Sequence, residues 1–147
     1  IMDVASYEVN QAFKYGADIT TILGVAEDQS IKDAVKAAHE AGKELLVDMI
    51  GVQDVAKRAR EIDAFGADYI GTHTGYDLQA LGQDPFATFS IIKENVSKTK
   101  TAIAGGIKLE AADEIKQANP DLLIIGGAIS TVDDPAAAAA AFKQILG

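Results

Sequence analysis

No cysteine occurs among the 147 residues. Its absence removes disulfide scaffolds, thiolate zinc sites and cysteine nucleophiles from the possible functions. No apolar run approaches the ~20 residues that a membrane-crossing helix needs, and no basic stretch leads into an apolar one near the start. No membrane partner is expected, and the expected compartment is the cytoplasm. Basic residues are also scarce: 13 Lys and Arg face 22 Asp and Glu, for a net charge of −9. A nonspecific nucleic-acid binder needs clustered cations to displace phosphate counterions, so no nucleic-acid partner is expected either. The acidic total removes long-range steering of an anion, but backbone N–H groups at helix starts can still hold a phosphate locally. Only two histidines, His39 and His73, remain for acid–base or metal roles.

What is present is a regular alternation. Short, nearly continuous apolar runs recur at 17–24, 44–50, 67–73, 101–107 and 121–129, each with the length and β-branched content of a buried parallel strand. Amphipathic segments lie between them. One starts at Ser30, a plausible N-cap, carries Ile31, Ala34, Val35 and Ala38 on one face, and stops at Gly42. Others are predicted at 52–66, 84–97 with Asp84-Pro85 opening it, 109–118, and 134–146 with Pro135 in the first turn. Residues up to the stop at Gly16 read as a first helix. Gly-Ala-Asp recurs at 16–18 and 66–68, a faint repeat of the unit in which a helix stops and a strand starts.

Strict strand-helix alternation implies a parallel sheet in a single domain, residues 1–147. A dinucleotide-binding unit would show G-x-G-x-x-G after its first strand, and none occurs. Instead a polar or glycine signal follows every strand: Gly24, Asp48, His73, Gly105-Gly106 and Gly126-Gly127. Function spread over all strand tips is the pattern of a (β/α)₈ barrel, although a full barrel takes ~250 residues and this chain offers about five strands. The expected fold is therefore an α/β, TIM-type barrel in incomplete form.

Three features carry chemistry. Two successive strand ends deliver Gly-Gly just before a helix, in AGGIKLEAADEI (104–115) and IGGAISTVDDPA (125–136). Such pairs let backbone N–H groups approach an anion without obstruction by Cβ, although a glycine pair also serves simply to turn the chain. His73 stands at a strand tip in GTHTGYDL among Thr72, Thr74, Tyr76 and Asp77. Imidazole as a residue type changes charge near neutrality, which makes it the natural proton carrier at this mouth. Asp48 interrupts the apolar run LLVDMI and needs a partner, a lysine or a metal, or a solvent-facing tip. His39, by contrast, lies in the last turn of a charged helix and reads as a surface residue facing the helix dipole.

With VDMI, HTGYDLQ, AIAGGIK and IIGGAI at successive strand ends, the whole chain resembles the 3-hexulose-6-phosphate synthases of the orotidine 5'-phosphate decarboxylase superfamily. The opening IMD is similar to the tail of that superfamily's D-x-K-x-x-D signature, with Asp3 as its last aspartate. The resemblance implies the C-terminal part of a barrel, lacking the first three strands. It further implies aldol addition of formaldehyde to ribulose 5-phosphate through an enediolate stabilised by Mg²⁺, in a homodimer. The Mg²⁺ ligands would lie upstream of Ile1, so this stretch alone is expected to be inactive. His73 would move the proton and Asp48 would place sugar hydroxyls or the lysine. Asp3 would reach the neighbouring subunit's site. Tyr76 and Asp77, with the amides of Gly105, Gly106, Gly126, Gly127 and Ala128, would bind the sugar phosphate. The sister 3-keto-L-gulonate-6-phosphate decarboxylases carry an arginine where Tyr76 stands and a glutamate where Asp48 stands, which favours the synthase. A noncatalytic sugar-phosphate-binding barrel fragment is the remaining alternative.

Overall fold

The computed structural model describes residues 2–73 and 84–146. Helix α1 (Met2–Lys14) leads into β1 (Ile19–Leu23), α2 (Asp28–Glu40), β2 (Glu44–Asp48), α3 (Val55–Phe65) and β3 (Tyr69–His73). Then follow α4 (Pro85–Asn95), β4 (Lys100–Ala104), a 3₁₀ turn (Leu109–Ala111) with α5 (Ala112–Ala118), β5 (Leu122–Ile124), the short α6 (Gly127–Ser130) and α7 (Pro135–Leu146). The five strands form one parallel sheet in sequence order. No helix among the described residues is long and apolar enough to cross a membrane.

Local signals explain most of the boundaries. Asp54 accepts the Lys57 N–H at 3.0 Å and starts α3, and Gly66 ends it in the left-handed conformation at φ 83°. Asp84 accepts the Phe86 N–H at 2.9 Å, with Pro85 in the first turn where its missing N–H costs nothing. Two expectations fail. Ser30 is not a cap: α2 already begins at Asp28, and Ser30 lies in its first turn, buried. Packing of the helix face governs there, and the propensity of serine for caps does not. The apolar run 121–129 is not one strand either. β5 ends at Ile124, and the Gly126 carbonyl accepts the N–H groups of Ile129 and Ser130, which turns the second half of the run into α6.

Alternation along each strand sends one set of side chains to the helices and the other to the opposite face. Leu45, Val47 and Ile70 pack with Ile31, Ile62 and Ile92 of the helices in the larger core. Phe89, Ile103, Ile115 and Phe142 form a second, smaller one. Full burial of each such side chain contributes about 1.5–3 kcal/mol, so the helix-facing layer carries the stability. Among the described residues the opposite face has no second layer. Its inward positions, among them Thr21, Leu46, Gly71, Ala104 and Ile124, line an open cleft. Among the described residues β1 and β5 each pair along one edge only, as an incomplete barrel requires. Leu23 and Ile124 are accordingly exposed on those strands.

Candidate functional site

The cleft, about 1060 Å³, opens at the C-terminal tips of the strands. Pairing of β2 with β3 sets Asp48 opposite Gly71, so His73 stands two residues further along the neighbouring strand on the same face. Gly71 leaves the intervening space free. A Cβ there would meet the Ala102 Cβ at 3.1 Å. Across this gap His73 Nδ1 lies 2.9 Å from Asp48 Oδ2. An ionised carboxylate only accepts, so Nδ1 carries the hydrogen that is donated, and Nε2 is left as the imidazole's second, acceptor nitrogen. Asp48 Oδ1 accepts the Ile50 N–H at 2.9 Å, which fixes the carboxylate's rotation. The backbone beneath is held as well, because Gly24 N–H donates to the Asp48 carbonyl at 2.7 Å.

Among the described residues the Asp48 carboxylate is partnered by His73 and the Ile50 N–H. The Asp48 side chain retains 16% of its exposure and that of His73 43%, so the pair is screened from below and open to the cleft. Thr72, expected beside His73, also borders the cleft, but alternation sets its side chain on the face opposite that of His73. It is 2% exposed on the helix side of β3, as strand alternation dictates. Gly24 belongs to a separate shallow hollow beside Arg58 rather than to the cleft. There the Arg58 guanidinium donates to the carbonyls of Gly24 and Ala26, both at 2.7 Å, and acts as a structural pin.

Gly105, Gly106, Gly126, Gly127 and Ala128 line the wall facing the pair. The two glycine pairs differ. Gly105 and Gly106 hold φ of 91° and 65°, which an L side chain rarely adopts, so glycine is required there by conformation. Gly126 has φ −102° and ψ −98°, outside the helical and extended regions, so its demand for glycine comes from ψ, and a Cβ on it would meet nothing within 4 Å. Tyr76 and Asp77 lie outside the described residues. Asp3 sits in the first turn of α1. Lys108 and Glu110, which the sequence reading passed over, also line the cleft. The lysine's position directly after AGGI was the available signal.

A model of the orotidine 5'-phosphate decarboxylase / HUMPS family matches residues 1–142. The chain belongs to this family. It is 56% identical over 146 residues to 3-hexulose-6-phosphate synthase 3 of Staphylococcus saprophyticus, covering 99% of this chain and 70% of the relative. A crystal structure of 3-hexulose-6-phosphate synthase from Salmonella typhimurium superposes with a TM-score of 0.92 at 38% identity, over 99% of this chain and 69% of that one. The 3-keto-L-gulonate-6-phosphate decarboxylase of Vibrio cholerae shares the fold, with a TM-score of 0.79 at 22% identity over 96% of this chain and 66% of that one. Within the family the chain is therefore far more similar in sequence to the synthases than to that decarboxylase.

Proposed function

We propose that this chain supplies the proton-transfer and phosphate-holding parts of a 3-hexulose-6-phosphate synthase site, acting on ribulose 5-phosphate and formaldehyde in the cytoplasm. The observation that carries this reading is the Asp48–His73 pair, 2.9 Å apart, facing the Gly-Gly loops across one cleft. Its support is the 56% identity to a synthase. In the proposed step His73 Nε2 takes a proton from C1 of the bound sugar phosphate, and the electron pair of that C–H bond passes into the enediolate. C1 then attacks the carbon of formaldehyde as the C2 carbonyl of the sugar re-forms, and the formaldehyde oxygen takes the proton back from His73 Nε2 to become the new hydroxyl. Asp48 holds the ring in the productive tautomer and offsets the positive charge on imidazole after proton uptake. The phosphate, bound remotely by backbone amides at Gly105, Gly106 and Gly127, fixes C1 within reach of Nε2.

The resemblance also brings Mg²⁺, which stabilises an enediolate as a Lewis acid when bound. Among the described residues no group of three or more His, Asp or Glu side chains converges, and both oxygens of Asp48 are engaged. Mg²⁺ takes several oxygen ligands in a near-octahedral shell, so the described residues do not fit as its site. We further propose a homodimer in which α1 meets a second copy. Val4 and Tyr7, one helical turn apart beside Asp3, are 54% and 64% exposed.

Formaldehyde-dependent loss of ribulose 5-phosphate tests the reading on two proteins: the 147-residue chain alone, and the chain joined behind the N-terminal remainder of the Staphylococcus saprophyticus synthase. Turnover is expected from the joined protein and none from the chain alone. A joined, folded protein that binds the sugar phosphate but never consumes it with formaldehyde overturns the proposal.

A further inference from the structure

We propose that Lys108 is the cation that grips the phosphate of the substrate, an assignment that rests on the sugar-phosphate reading above and adds a charged contact to the backbone amides. The surroundings of the cleft make a cation necessary. The chain carries a net charge of −9, and Asp48 and Glu110 both line the cleft. A phosphate dianion entering it meets like charges that neutral N–H groups offset only in part. Among the described residues Lys108 is the one lysine or arginine lining it. The other lysines and arginines stand on the helices or, as with Lys43, Lys98 and Lys100, at the opposite end of the sheet. The stretch 74–83 contains neither residue type.

The local backbone aims the side chain. Gly105 and Gly106 turn the chain through positive φ, and Ile107 is then 5% exposed in the smaller core. Lys108 follows in extended conformation, φ −126° and ψ 160°, so its side chain leaves on the face opposite Ile107, toward the cleft. Its carbonyl accepts the Ala111 N–H at 3.1 Å, which fixes the position from the other side. A buried anchor before it and a 3₁₀ turn after it make Lys108 a preorganised part of the rim. The side chain makes none of the ion pairs among the described residues.

Calorimetric titration of the 147-residue chain with ribulose 5-phosphate and with unphosphorylated ribulose tests this assignment. Lys108→Met is expected to weaken ribulose 5-phosphate at least about tenfold, the scale of one charge-assisted hydrogen bond. Ribulose itself is expected to bind the variant and the parent chain alike. Lys108→Arg, which keeps the charge, should restore most of the affinity. Lys116→Met, a helix lysine, serves as control and should change nothing. Equal ribulose 5-phosphate affinity in Lys108→Met and the parent chain overturns the assignment of Lys108 and leaves the sugar-phosphate reading standing. No binding of ribulose 5-phosphate by the parent chain overturns both. Because Lys108 is exposed, the variant is expected to melt as the parent does, and its melting curve checks that.

Discussion

The molecule has two histidine–aspartate pairs, one at each end of the same sheet. At the C-terminal tips His73 lies 2.9 Å from Asp48, and at the other end His39 at the end of α2 lies 3.0 Å from Asp68. Their exposures are also close: 43% and 16% for the first pair, 48% and 24% for the second. Pair geometry and burial therefore do not mark a site. The surroundings do. Asp68 also accepts the Leu45 N–H at 2.9 Å and ties the start of β2 to the start of β3. Asp48 and His73 line one cleft together with both glycine loops. The same two residue types fasten the sheet at one end and are poised toward a ligand at the other.

That contrast is easiest to break with His73→Ala in the joined protein, which should lose about 10²–10⁴-fold in turnover with no loss of melting temperature. A variant that keeps its formaldehyde-dependent activity removes His73 from proton transfer. Next in size is Asp63→Ala at the fastening end. Asp63 receives the N–H groups of Lys98 and Thr99 at 3.0 and 2.8 Å and the Ser97 hydroxyl at 2.9 Å. Leaving those donors unpaired should cost about 1–3 kcal/mol, with ribulose 5-phosphate affinity unchanged. Thermal melting and titration together separate the two effects.

Asp63 also sets a pH dependence. Partial burial pushes its carboxyl up, but the amides of Thr99 and Lys98 and the Ser97 hydroxyl outweigh it and hold it well below its ordinary value of 3.8. A depressed folded-state value stabilises above the unfolded value, so the contribution is complete above pH ~4 and is lost as pH falls below that. Melting temperature should drop on acidification through this window, and the drop should be smaller in Asp63→Asn. An equal drop in both proteins would assign the acid sensitivity to other carboxylates. His39→Ala should cost less than about 1 kcal/mol, as an exposed pair does, and leave sugar-phosphate binding intact. The smallest effect is expected from Asp18→Asn. Asp18 occupies the same place before its strand as Asp68 does, in the repeated Gly-Ala-Asp. Its side chain is 85% exposed and among the described residues pairs with Lys43 alone, so no measurable change in melting is expected.

How far these differences can be read from the sequence depends on their range. The strand tips were legible because each interrupts an apolar run, and Asp48, His73 and both glycine pairs do line one cleft. Helix stops at Gly16, Gly42 and Gly66 were legible because positive φ is a local demand. Ser30 misled because burial of a helix face overrides capping preference. Thr72 misled because neighbours in a strand point to opposite faces. His39–Asp68, 29 residues apart, depends on register between β2 and β3, which no local pattern encodes. Lys108 was not legible because a loop lysine is ordinarily a solvated one, and its value comes from standing as the one lysine or arginine among the described residues lining the cleft.

With only two histidines in the chain, one experiment serves as its own control: imidazole ¹⁵N resonances followed by NMR while ribulose 5-phosphate is added. His73 should shift with a saturable dependence on ligand, while His39, at the far end of the sheet, stays fixed. A His39 shift with His73 unmoved, or neither moving, would contradict the placement of the sugar-phosphate site at the strand tips.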